Sequence, residues 1–124
     1  MAKKQLIRLN KNGLEGKGLE LLGQASLGEI IEGTCYESAY NFFTDSTAQF
    51  MTGVWECQAG TMKLIDYPFD EYCQIISGKV VITNEEGHEE IFVAGDAFTI
   101  EKGFKGTWHM PVTVRKFYAI YQAQ

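Results

Sequence analysis

The sequence predicts an all-β fold, a sandwich or a barrel, on three observations. After residue 50 the chain divides into short segments rich in β-branched and aromatic residues. Glycines punctuate those segments, at Gly53, Gly60, Gly78, Gly87, Gly95, Gly103 and Gly106. No convincing helical period appears after residue 50. Short strands at regular spacing, parted by turn signals, are the pattern of sandwiches and barrels.

The elements follow in chain order. LELLGQASLGEIIEG is apolar but interrupted by Gly23, Gly28 and Gly33. Each interior glycine costs a helix about 1 kcal/mol relative to alanine. Short strands and irregular chain are expected there, as an arm on the barrel or on a partner. QFMTGVWEC, TMKLIDY, EYCQIISG, KVVITN, EEIFVAGD, AFTIEKG, GTWHM and TVRKFYAIY then read as strands. NEEGHEE, over 84–90, reads as an acidic hairpin turn between two of them. The glycine-punctuated pattern occurs once, without linker or repeat. Residues 1–124 are therefore expected to form one domain, with 1–49 as N-terminal arm and first strands and 50–121 as the core barrel.

The bulk numbers narrow the function. A chain of 124 residues fits one domain and buries roughly two-thirds of its unfolded surface, enough for a core. Its net charge of −5, from 11 basic and 16 acidic side chains, argues against non-specific nucleic-acid binding. The basic tip at Lys3 and Lys4 is too short to change this. Cys35, Cys57 and Cys73 are odd in number and widely spaced, with no CxxC pair for a structural zinc. MAKKQLIRLNKNG is not followed by an apolar stretch of leader length, and no run reaches the length of a membrane span. A cytoplasmic protein with reduced thiols and no membrane partner is expected.

The stretch DYPFDEYCQIISG, residues 66–78, places Asp66, Asp70 and Glu71 ahead of an apolar run. Strand alternation puts Glu71, Cys73 and Ile75 on one face and Tyr72, Gln74 and Ile76 on the other. Asp66 shares a face with Met62 and Leu64. It is either a second carboxylate near Glu71 or a strand-end cap of the turn at YPFD. Asp70 alternates away, toward solvent or Lys63. Trp55 and Cys57 share a face, as do Gly106 and Trp108, which turns His109 the other way. His88 lies on the acidic turn. Arg115 and Lys116 lie on opposite faces. One of them could hold an anion at the barrel mouth or pair with Glu71, although surface charge is the commoner fate. No phosphate loop, GxSxG elbow or HExxH is present.

GVWEC, the DEYC…SG block, the GD…KGFKGTW block and TVRKFY together resemble the cupin superfamily. The similarity is to its small single-domain branch related to the ureidoglycine aminohydrolase cupin domain and the cupin-like ethanolamine utilization protein. It covers roughly residues 50 to 121. It implies a jelly-roll barrel of two antiparallel sheets with a pocket between them, commonly in a homodimer. Metal-binding cupins carry Gly, five residues, His-x-His, a short gap, Glu, six residues and Gly. Gly60, Glu71 and Gly78 fit that motif, with the gap before Glu71 shortened. Asp66 and Pro68 stand where its histidines belong. In the second motif Gly95 and Gly103 fit, Glu101 replaces the usual Pro, and Gly106 stands at the third His position.

All three histidine ligands are therefore replaced. Zinc, iron and nickel favour imidazole, and a carboxylate site for manganese needs more than one well-aimed acid. No cofactor is expected, a divalent metal such as manganese being the alternative. In the cupin register the Glu71 face looks into the barrel. Glu71 is then either a pocket acid or base with a raised pKa or a carboxylate bonded to barrel hydroxyls and backbone. Cys73 sits beside it, without a histidine to activate it and with a carboxylate that raises a thiol's pKa. Trp55, Asp66, Glu71, Cys73, Phe98 and Trp108 are the expected ligand-binding residues, with Glu71 the catalytic candidate. Two readings stay open: a metal-free pocket protein for a small polar metabolite, or an enzyme in which Glu71 acts on an amine or ureido compound. A third, with the two indoles simply filling the barrel, has no ligand.

Overall fold

The computed structural model describes residues 5–123; Lys3 and Lys4 lie outside them. The predicted strands pair into two antiparallel sheets that face each other as a jelly-roll β-barrel. A 3₁₀ turn, Leu14–Gly16, precedes β1 (Glu20–Gln24), β2 (Glu29–Gly33) and β3 (Tyr36–Thr44). Then come β4 (Phe50–Cys57), β5 (Gly60–Leu64), β6 (Asp70–Ser77), β7 (Lys79–Asn84) and β8 (Glu89–Val93). The last are β9 (Ala97–Ile100), β10 (Gly106–Met110) and β11 (Val114–Tyr121). One sheet runs β1-β3-β4-β11-β6-β9 and the other β2-β5-β10-β7-β8.

The period-2 pattern builds the core between the sheets. On β6, Glu71, Cys73 and Ile75 are buried while Tyr72 and Gln74 are exposed. On β11, Val114, Lys116 and Tyr118 are buried. Leu64, Ile75, Val80, Met110 and Val114 fill the space between the layers. The acidic turn at 84–90 forms as expected. Asn84 Oδ1 accepts hydrogen bonds from the Glu86 and His88 amides, and Gly87 takes a φ of 87°, open to glycine at no steric cost.

Two readings of the sequence need correction. The region before residue 50 holds a nine-residue strand, β3, and all three of its strands are woven into the sheets. Irregular chain is confined to short links such as 25–28, where Gly28 lies, while Gly23 and Gly33 lie within strands. Gly23, at φ 103°, sits where the β1–β3 register shifts, the usual place for a bulge. Second, β5 stops at Leu64, before Asp66. Asp66 takes a left-handed φ of 56°, which ends the alternation. It is exposed, and Tyr67 is the buried residue instead.

Candidate functional site

Between the two sheets lies a partly open cavity of about 230 Å³. Its floor comes from β6 and β11, which pair so that Ile120 faces Glu71 and Lys116 faces Ile75. Both strands point a charged side chain inward. Lys116 Nζ lies 2.7 Å from Glu71 Oε2, and the two residues are only 4% and 3% exposed. The other carboxylate oxygen accepts from the Tyr67 hydroxyl at 2.5 Å. The Cys73 thiol lies 3.4 Å from Glu71 Oε2 and from Lys116 Nζ.

The walls are largely apolar. Trp55 from β4 and Trp108 from β10 meet edge to face, with ring centres 6.1 Å apart and planes at 89°. The Lys116 ammonium lies over both, 4.6 Å from the Trp55 ring and 4.7 Å from the Trp108 ring. Cation–π attraction is strongest where water is excluded, as here. Met51, Leu64, Phe69, Tyr118 and Ile120 complete much of the lining. Trp55 Nε1 donates to Glu37 Oε1 at 2.7 Å. Trp108 Nε1 is buried and finds no acceptor among the described residues.

The charges follow from this geometry. Burial pushes the Glu71 carboxyl up, but the Lys116 charge and the hydrogen bonds from Lys116, Tyr67 and Cys73 outweigh it and hold the group below the ordinary carboxylate range. Burial pulls the Lys116 ammonium the other way, against the negative forms of Cys73, Glu71 and Tyr67, and the balance raises it. At neutral pH, Glu71 is the one of those three that carries charge. Burial pushes the Cys73 thiol up to about 12. Of the two readings left open at Glu71, the raised pKa is reversed, because the cation that pairs with it, offered by the sequence as either Arg115 or Lys116, is Lys116 and lies inside the barrel.

The donor set does not suit a divalent cation. Glu71 is the one inward carboxylate at the expected motif, and both its oxygens are engaged. A second cation there would meet the Lys116 ammonium at close range. No group of three or more His, Cys, Asp or Glu side chains among the described residues could hold a metal. Gly106 cannot regain the missing histidine on this backbone, since a Cβ there would strike the Thr83 carbonyl oxygen.

Of the residues expected to bind ligand, Trp55, Glu71 and Trp108 line this cavity. Cys73 touches their polar core from the same face of β6. Asp66 does not reach it, because the turn after Leu64 directs it to solvent. Phe98 lies behind Trp108, 6.0 Å away, and stacks on Phe92 at 4.1 Å on the far side. His109 bonds Thr61 at 2.7 Å, and His88 bonds Glu90 on the exposed turn. Asp70 accepts from the Lys102 amide, and Arg115 pairs with Glu56. Two residues were not foreseen. Tyr67 follows a turn whose register the alternation could not carry. Glu37 sits in a region read as irregular, although Glu37, Ala39 and Asn41 of β3 already alternate.

The EutQ-like cupin domain model matches residues 44–118. No protein of curated function matches the chain. A DUF861-family protein of unknown function from Pseudomonas syringae pv. tomato is 25% identical, with a TM-score of 0.75, over 90% of this chain and 46% of its own. The Clostridium difficile EutQ structure is 23% identical, with a TM-score of 0.62, over 73% of this chain and 66% of its own. A putative ethanolamine utilization protein from Salmonella typhimurium is 19% identical, with a TM-score of 0.67, over 96% of this chain and 94% of its own. The latter two likenesses carry the fold alone.

Proposed function

Because the chain belongs to the EutQ-like cupin domain family, we propose that it binds a small metabolite in the cavity between its sheets, with the Lys116 ammonium in the role that a metal ion plays in metal-binding cupins. The observation that carries this reading is the buried Lys116–Glu71 pair at the floor of a largely apolar cavity. An internal cation already compensates the one motif carboxylate. What is left is a small, mostly apolar space with a few polar groups, the usual character of a ligand site. At about 230 Å³ it falls below the roughly 300–1,000 Å³ of sites for drug-sized ligands, so the ligand is small. Elemental analysis by mass spectrometry tests the metal-free part, on protein expressed with manganese, iron, zinc and nickel supplied. Stoichiometric metal lost in Glu71→Ala would overturn it.

The enzyme reading, with Glu71 as acid or base on a nitrogenous compound, draws less support. A carboxylate held below its ordinary range by an ammonium is a weak base and is not protonated at neutral pH. Turnover of an amine or ureido compound that survives chelation and vanishes in Glu71→Gln would favour it.

A homodimer also fits this reading. Leu22 lines the cavity and is 60% exposed, beside Leu21 at 75%. A second copy over β1 would cover that rim. Sedimentation equilibrium of the full chain tests this, and a monomer at micromolar concentration would remove it.

A further inference from the structure

We infer that the cavity selects a monocationic ligand, an ammonium or similar head on a small apolar body, and that Glu37 is the residue that recognises the charge. The inference rests on the binding reading above.

It begins with a count of charge. Three cavity-lining side chains are of charged types, Glu37, Glu71 and Lys116. Lys116 is committed to Glu71 at 2.7 Å, which leaves one negative charge over. That charge belongs to Glu37, which has no ion pair among the described residues. The open oxygen can be identified. Glu37 Oε1 accepts from Trp55 Nε1, and no hydrogen bond from the described residues reaches Oε2. Trp108 Nε1 is the single buried side-chain polar atom without a partner among the described residues. Glu37 Oε2 is therefore not sealed in protein, and the side chain that carries it lines the cavity.

The surroundings give this oxygen a preference. Trp55 is bonded to Glu37 through its edge and to the Lys116 ammonium through its face, so the carboxylate cannot swing away without losing its indole donor. Beside it on β3, Ala39 leaves space. Met51, Leu64 and Phe69 offer an apolar wall. A neutral ligand filling that wall would strip water from a carboxylate without replacing it, which is costly. An anion would add repulsion. An ammonium would supply a charge-assisted hydrogen bond to Oε2, about twice as strong as a neutral one. The volume fits such a ligand, since a cavity of about 150 Å³ holds benzene and a benzyl compound is somewhat larger.

Titration of the full-length protein by NMR with benzylammonium, benzyl alcohol and benzoate tests this, for wild type and Glu37→Gln. Glutamine keeps an acceptor for Trp55 Nε1 and removes the charge. The expected result is benzylammonium binding at least about ten-fold more tightly than benzyl alcohol, the size of one charge-assisted hydrogen bond, with benzoate weakest. In Glu37→Gln the preference should fall to within about two-fold while benzyl alcohol binds as before. Equal binding of ammonium and alcohol to wild type would overturn the charge selection and leave the pocket reading standing. A preference that persists in Glu37→Gln would overturn the assignment to Glu37. If none of the three probes shifts a cavity resonance at millimolar concentration, both readings fall.

Discussion

Lys116 Nζ and Glu71 Oε2 meet 2.7 Å apart inside the barrel, with only 5% and 4% of their side chains exposed. Two charges so deep are expensive to bring together and more expensive to separate. Removing one partner of such a pair typically costs 3–5 kcal/mol, whereas replacing both with apolar residues is often neutral. Lys116→Met and Glu71→Gln should therefore each lower the urea unfolding free energy by about 3–5 kcal/mol. The double variant should lose clearly less than their sum. Additive losses would mean that the two groups do not act as a pair.

The same pair sets a pH window. Glu71 is held below its unfolded value of about 4.3. Its contribution is present above that value and is lost as pH falls through the lower, folded one. Lys116 is held above its unfolded value of about 10.4. Its contribution is complete below that value and fades as pH rises through the folded one. Between about pH 5 and 10 the pair should contribute constantly. Urea midpoints of wild type and of the double variant, compared across pH, should run parallel in that window and converge at its acid end. A gap between them that changes near neutrality would contradict this.

The two tryptophans should respond differently to the same change. Trp55→Phe loses the hydrogen bond to Glu37 as well as ring volume. Trp108→Phe deletes a buried N–H that has no acceptor among the described residues, an unmade bond that costs about 1–3 kcal/mol. Trp108→Phe should therefore be the milder substitution by about 1 kcal/mol or more in urea unfolding. The reverse order would place an acceptor at Trp108.

Gly106→Ala should destabilise by more than about 2 kcal/mol, because the new methyl group meets the Thr83 carbonyl oxygen and closes on the Phe104 ring at 2.9 Å. Thermal melting checks this. A neutral outcome would show that a ligand histidine can be restored there.

The thiols should be inert until the chain unfolds. Cys35, Cys57 and Cys73 are fully buried. Burial raises all three, and Cys57 and Cys73 reach about 12. Iodoacetamide at pH 8 should label none of them in the native protein and all three in 6 M guanidinium. Labelling of the native protein would mark local opening near the site.

Much of this was legible in the sequence, for reasons that also show where the reading stopped. Alternation is a local rule, so it grouped Glu71, Cys73 and Ile75 on one face of β6 and Gly106 with Trp108 on one face of β10, while the cupin resemblance implied that the Glu71 face looks inward. Alternation fails where the backbone leaves the pleat. The left-handed turn at Asp66 shifted the register by one and exchanged an expected carboxylate for the Tyr67 hydroxyl. Lys116 was open to either fate, because a lysine inside a barrel makes sense only once its partner is in view, and Glu71 lies 45 residues away. Glu37 was hidden by the glycines around it. Gly23, Gly28 and Gly33 read as broken chain, whereas two of them take positive φ angles and serve strands that bend to close a barrel.

The perpendicular indoles carry one more consequence. Trp55 and Trp108 are the chain's two tryptophans, and both lie within 5 Å of the Lys116 ammonium. The protein's tryptophan emission therefore arises entirely at the cavity. Excited selectively, beyond the absorption of the six tyrosines, that emission is a built-in gauge of whatever enters there.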